Sequence, residues 1–174
     1  LIDRLLKEGQ NVLCIDNLSS GNLDNIKNLN KNKKFSFVKH DILEPLNSSI
    51  LIEKIWHLAS PASPDFYQND PIRTIRVNYE GTLNILNLAK SHKSRILLTS
   101  TSEVYGKTKN FMQEENMPIT LSTFSPRACY SEGKRIAETL MNLYREEYDL
   151  EIRIARIFNT YGPRLNINDG RVIS

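Results

Sequence analysis

The sequence is short of cysteine, histidine and tryptophan, with two, three and one in 174 residues. Cys14 and Cys129 lie among apolar or small residues without CxxC spacing. That excludes a disulfide scaffold and a thiolate zinc site, and it predicts reduced thiols in a cytoplasmic protein. His40, His57 and His92 sit on separate segments, none at metal-ligand spacing from another His or Cys, so no metal site is expected. The seven glycines, at 9, 21, 81, 106, 133, 162 and 170, form no GxGxxG or GxxGxxG run. Apolar runs reach only a few residues, too few to span a membrane, and no signal-peptide pattern is present. The charge balance is 23 basic against 20 acidic residues, net +3. This is too mild to argue for nucleic acid. Lys27, Lys31, Lys33 and Lys34 cluster in an Asn-rich stretch that reads as a solvated loop. What remains is a globular composition, 40% hydrophobic and 25% charged. At about 150 residues per domain the length gives one domain and a little more, enough to bury a core.

The pattern along the chain alternates. Leu1–Lys7 reads as the middle of an amphipathic helix stopped by Gly9. Asn11–Asp16 is a short apolar run closed by an acid, as in strands buried on both faces. Residues 17–34 read as loop with a short helix, and Phe35–Asp41 as a strand. A further strand spans Lys54–Ala59 and closes on Ser60-Pro-Ala-Ser-Pro64. Pro71–Lys90 carries apolar residues at 72, 75, 79, 83, 86 and 89, which is helical spacing. Arg95–Ser100 is a strand, 107–125 is polar and irregular, Tyr130–Tyr148 is a helix, and Glu151–Phe158 is a strand. Strands alternating with helices predict an α/β protein with a Rossmann-like, doubly wound parallel sheet. Such sheets bind ligands beyond the carboxyl ends of their strands, where Asp16, Asp41, Ser60, Thr101-Ser102-Glu103 and Asn159 all fall.

Two segments carry candidate chemistry. Tyr130-Ser-Glu-Gly-Lys134 puts Tyr and Lys four apart on one helix face. A nearby ammonium favours the phenolate, whose usual pKa is about 10, so Tyr130 could act as a general base. The bland alternative is a surface Tyr–Lys pair. Thr99-Ser-Thr-Ser-Glu-Val-Tyr-Gly106 ends a buried strand in hydroxyls and a carboxylate. Those hydroxyls could hold a substrate oxygen while Tyr130 takes its proton. The alternative is a capped strand end with Glu103 solvated. In a dinucleotide-binding unit, an acid placed like Asp16 binds the adenosine ribose hydroxyls, although Asp-Asn is also good turn chemistry. Asp41-Ile42 after the next strand could line an adenine pocket.

Five segments together resemble the extended short-chain dehydrogenase/reductase family acting on nucleotide sugars. They are His57–Pro64, Ser100–Gly106, Pro126–Glu138, Ala155–Arg164 and Asn168–Val172. Within that family the chain is most similar to the members that decarboxylate UDP-glucuronate to UDP-xylose. The resemblance implies tightly held NAD, with Asp16, Asn17, Leu18, Ser19, Ser20 and Gly21 around the adenosine ribose and Asp41 and Ile42 flanking adenine. It further implies Leu58, Ala59 and Ser60 lining the cofactor cleft, and Thr160 and Arg171 on the cofactor side. Tyr130, Lys134, Thr101, Ser102 and Glu103 would be catalytic, with Tyr130 and Lys134 also touching the cofactor. Arg76, Thr101, Tyr130 and Asn159 would contact substrate.

The family also sets the alternatives. Related 4,6-dehydratases carry an Asp where this chain has Ser102, and a serine cannot serve as that acid. The 4-epimerases as a rule lack the Glu at 103. A decarboxylase type that releases a 4-keto pentose and NADH shares Ser-Glu and stays open, as does a non-catalytic binding module. Leu1 stands without a preceding Met and Ser174 without a terminating signal. The expectation is therefore a fragment cut at both ends. Residues 1–162 would form the NAD-binding domain, without its first strand and Gly-rich loop, and 163–174 would begin a smaller substrate region. A homodimer through a bundle of the helices 71–90 and 130–148 is the implied assembly.

Overall fold

In this computed structural model the described residues are 1–106 and 112–165. They belong to two units, Leu1–Asp41 and Ile42–Ser174. The Asn168–Val172 segment, and with it Arg171, lies outside the described residues.

The first unit holds α1 (Ile2–Lys7), β1 (Val12–Asp16) and β2 (Phe35–Lys39). Gly9 ends α1 with φ +79°, a left-handed conformation that glycine adopts at no steric cost. β1 and β2 run parallel, Val12 opposite Phe35 and Asp16 opposite Lys39. The residues between them form two short 3-10 turns, Leu23–Asn25 and Lys27–Leu29, with Asn22 capping the first from its side chain. The Asn-rich stretch thus satisfies its own backbone locally, as Asn side chains do in turns.

The second unit contains β3 (Lys54–His57), α2 (Pro64–Asn69), α3 (Pro71–Arg76), α4 (Thr82–His92), β4 (Arg95–Thr101), α5 (Ala128–Tyr148) and β5 (Ile152–Ile157). Its three strands pair in parallel in the order β3-β4-β5. His57 stands opposite Leu98, and Thr101 opposite Ile157. β4 is the middle strand and the most buried, with Ile96 and Leu98 closed off from solvent. The core joins Ile96, Leu98 and Ile152 of the sheet to Ile85, Leu86 and Ala89 of α4 and Ala137 and Met141 of α5. Burial of this apolar area is the main force holding the helices on the sheet.

The expected strands and the long helix 130–148 are present within a residue or two. The expected helix 71–90 is more elaborate. Asp70 caps α3, accepting from the Arg73 amide at 3.0 Å, with Pro71 at the first helical position. Between α3 and α4 the backbone widens into a π-turn, Val77–Gly81. A Cβ at Gly81 would come within 2.6 Å of Ile42 Cδ1, so a larger residue here would push the Ile42 side chain aside. The turn buries Asn78, whose side-chain amide donates to the Thr74 carbonyl at 2.9 Å. Helix α2, which no sequence signal marked, begins at Pro64 and buries Tyr67 completely.

Candidate active site

β4 ends at Thr101, and its last residues, Thr99, Ser100 and Thr101, are polar although Ser100 and Thr101 are buried. Thr101 is buried and accepts the Glu103 amide on its Oγ1 at 3.2 Å. This bond caps the short turn Ser102–Tyr105 and leaves the Thr101 hydroxyl hydrogen available to a ligand. Gly106 ends the turn at φ +66° and ψ −153°, a region open essentially to glycine alone. A Cβ there would lie 1.9 Å from the Thr120 carbonyl oxygen.

α5 brings the second half. Tyr130 and Lys134 sit one turn apart and both are buried. Gly133 lets the helix approach the π-turn, since its Cβ would stand 3.1 Å from the Asn78 Cβ. The Lys134 ammonium donates to the Thr99 carbonyl at 2.9 Å, tying α5 to the end of β4. Burial pushes the Lys134 pKa down to about 8, with the Glu138 carboxylate pulling the other way. Near neutral pH the ammonium keeps its charge, and it shares a helix face with the Tyr130 hydroxyl.

Glu103 is half-buried and held by two side chains. The Arg127 Nη1 donates to its Oε1 at 3.1 Å, and the Ser131 hydroxyl to its Oε2 at 3.4 Å. Tyr67 lies flat on Tyr130, ring centroids 4.9 Å apart and planes 4° from parallel. Burial, then the charge of Glu103, pushes the Tyr67 pKa up to about 12. Tyr67 therefore remains a neutral phenol beside the candidate base. Its hydroxyl and that of Ser100 are buried polar groups with no hydrogen-bond partner among the described residues. Behind Lys134, Glu138 receives Arg156 of β5 through a nearly enclosed pair, Nη2 to Oε2 at 2.8 Å. Arg156 also stacks over the Tyr105 ring and donates to the Glu115 carbonyl. Together these contacts fix the register of α5 against β5.

Other expected residues are placed as follows. Ser60 donates to Asn78 Oδ1 at 3.1 Å, at the edge of the π-turn. Leu58 is half exposed and Ala59 exposed, following β3. Asn159 and Thr160 are exposed after β5, where Thr160 donates to the Phe158 carbonyl. Arg76 lies on the surface and binds Glu80 bidentately, both bonds at 2.8 Å. The structure therefore brings Thr101, Glu103, Tyr130 and Lys134 together and gives Arg76 a carboxylate of its own helical segment. In the first unit, Asp16 ends β1 and accepts the Leu18 amide at 2.7 Å, while Ser19 donates its amide to Asn17. Asn17 in turn donates to Asp41 at 3.0 Å. A Cβ at Gly21 would stand 3.3 Å from both Asp16 carboxylate oxygens, so glycine keeps that carboxylate open. Sequence reasoning did not single out Tyr67, Arg127, Ser131 or Asn78. Their partners are remote in sequence, and only the packing of α2, the π-turn and α5 assembles them.

A strand-end Thr-Ser-Glu beside a helix-borne Tyr and Lys is the arrangement that the fold assembles. The family model described as GDP-mannose 4,6 dehydratase matches residues 1–173. The chain belongs to this family. UDP-glucuronic acid decarboxylase 5 of Arabidopsis thaliana is 50% identical over 175 residues, covering 100% of this chain and 51% of that protein. The chain thus spans about half the length of the curated relatives it matches. Among solved structures, the UDP-N-acetylglucosamine 4-epimerase from Methanobrevibacter ruminantium M1 in complex with UDP-N-acetylmuramic acid aligns with a TM-score of 0.84. It is 29% identical, and the match covers 96% of this chain and 53% of that one. The UDP-glucuronic acid 4-epimerase from Bacillus cereus in complex with NAD aligns at a TM-score of 0.79 and 30% identity, over 94% of this chain and 53% of that one. The parallel strands and flanking helices of this family member are accordingly Rossmann-like, as expected. Among its described residues no helix is long and apolar enough to cross a membrane, and no group of three or more His, Cys, Asp or Glu could hold a metal ion.

Proposed function

We propose that the protein carrying this chain decarboxylates UDP-glucuronate to UDP-xylose through a 4-keto intermediate, with NAD. The observation that carries the reading is the buried Lys134 ammonium, bound to the Thr99 carbonyl on the face of α5 that carries Tyr130, beside Thr101-Ser102-Glu103. The identity to UDP-glucuronic acid decarboxylases supports this reaction among those of the family.

The residues present fit a dinucleotide. Asp16, kept open by Gly21, offers two acceptor oxygens to a ribose diol and would repel a 2′-phosphate. Asn17, Leu18, Ser19 and Ser20 form the preorganised loop around it, with Asp41 and Ile42 assigned to adenine. Lys134 and Tyr130 would take the nicotinamide ribose, with Leu58, Ala59, Ser60, Thr160 and Arg171 along the cofactor side. NAD, when bound, supplies the hydride acceptor for C4 and returns that hydride at the end.

The chain's own residues do the rest. Tyr130, its phenolate favoured by the Lys134 charge, removes the proton of the sugar 4-hydroxyl. Thr101 donates to the same oxygen as it becomes a ketone. The carboxylate is then β to that ketone, and its loss as CO₂ leaves an enolate that the same donors stabilise. Glu103, with Ser102 beside it, handles the proton at C5. Ser102 stands where a dehydratase needs an acid, which disfavours loss of water. Arg76 and Asn159 complete the substrate contacts in this reading.

Residues 1–162 serve as the NAD-binding portion, and 163–174 open the substrate region. Ile72, Ile75 and Tyr79 are exposed along 71–81, as are Ile136 and Leu143 on α5. Those apolar faces suit the homodimer bundle. Free Cys14 and Cys129 fit a cytoplasmic location.

The test is Tyr130→Phe in the full-length protein. Turnover should fall by about a thousandfold or more while NAD binding is kept, a scale in keeping with loss of a catalytic base. Activity within tenfold of the unaltered protein would contradict the assignment.

A further inference from the structure

Arg127 stands three residues before Tyr130, at the residue that opens α5. Its side chain is 55% exposed, whereas the Glu103 side chain it binds is 30% exposed. Among the described residues only Nη1 is engaged, on Glu103 Oε1 at 3.1 Å. Among the described residues the remaining N–H donors of the planar fork have no side-chain acceptor. On its other side Glu103 faces the Ser131 hydroxyl, whose one hydrogen is shared between Glu103 Oε2 at 3.4 Å and the Arg127 carbonyl at 3.2 Å. The guanidinium is therefore anchored at one edge and available at the other. Lys134, also a cation on α5, is enclosed and spends one donor on the Thr99 carbonyl. An anionic sugar entering here meets the Glu103 carboxylate, and like charges at close range repel. Arg127 is the group placed to offset that repulsion.

We propose that Arg127 determines specificity for an acidic sugar, its guanidinium taking the substrate carboxylate on the donors that Glu103 leaves unused. A planar fork matches a carboxylate with two parallel bonds, so one arginine can bridge two carboxylates at once. The inference rests on the decarboxylase reading, because a neutral sugar offers no such partner. It also separates the roles of the two cations: Lys134 serves the Tyr130 proton, and Arg127 reads the group that distinguishes a uronate from a hexose.

The experiment uses the full-length protein with NAD. KM and kcat for UDP-glucuronate are read from CO₂ release. UDP-glucose and UDP serve as competitive inhibitors. Arg127→Gln should raise KM for UDP-glucuronate about tenfold and leave both inhibition constants within about twofold, a selectivity that general damage to the fold does not produce. Arg127→Lys keeps the charge without the fork and should raise KM about threefold with both inhibitors again unmoved. This second variant carries the test if the first fails to fold. An unchanged KM would overturn the proposal. So would a parallel loss for all three ligands, which would assign the guanidinium to the shared diphosphate or to the fold. If the unaltered protein binds UDP but releases no CO₂ from UDP-glucuronate, the decarboxylase reading falls and this inference falls with it.

Discussion

His57 ends β3 with its imidazole enclosed and Nε2 3.0 Å from the Thr82 hydroxyl. Burial, then the Lys134 charge, pushes its pKa down to about 3. The unfolded chain takes up this proton near pH 6.5 and the folded chain only near pH 3. Folded His57 thus binds fewer protons across that window, and stability falls as pH drops through it. The expected result is a melting temperature that declines from pH 6.5 to 3 more steeply in the unaltered protein than in His57→Gln, which keeps a polar group for Thr82. Equal slopes would contradict the assignment. At this scale the placement of the candidate site residues was legible in the sequence. Tyr130, Lys134, Thr101 and Glu103 lie in short segments whose spacing alone places them on one helix face or one strand end. Arg127 and Tyr67 were not legible, because what makes them notable is a partner 24 or more residues away: Arg127 on Glu103, and Tyr67 under Tyr130.

Two loops show how the elements are joined. Gly106 holds the end of the Ser102–Tyr105 turn against the Thr120 carbonyl. Gly106→Ala would force both the backbone and that contact, at a cost of about 2 kcal/mol or more, and should lower the denaturation midpoint accordingly. A midpoint equal to that of the unaltered protein would mean the turn can relax. Lys93 presents the opposite case. It caps α4 in the left-handed conformation, φ +53°, where a lysine carries a strain that glycine does not. Lys93→Gly should stabilise the protein by about 1 kcal/mol, and a destabilised variant would show that the lysine makes compensating contacts. Legibility differed between elements for the same kind of reason. β4 and β5 announce themselves as apolar runs. The 71–90 segment announces its helical period but not the π-turn inside it, where Gly81 packs against Ile42, a residue far away in sequence. α2 escaped notice because its six residues are too few to show a period.

On the scale of the whole molecule, the two units carry different tasks. The Leu1–Asp41 unit presents the Asp16 carboxylate at the end of β1, and the Ile42–Ser174 unit carries Lys134 bound to the Thr99 carbonyl near the end of β4. Polar residues gathered at strand ends are the arrangement that parallel α/β sheets favour for ligand binding. The chain spans about half the length of its curated relatives, so the direct test uses the full-length protein. It is incubated with UDP-glucuronate and NAD, the nucleotide-sugar product is weighed by mass spectrometry, and absorbance at the NADH band is followed alongside. The account predicts a product lighter by one CO₂ with no net NADH. An unchanged substrate mass, or CO₂ loss with NADH accumulating in step, would contradict it.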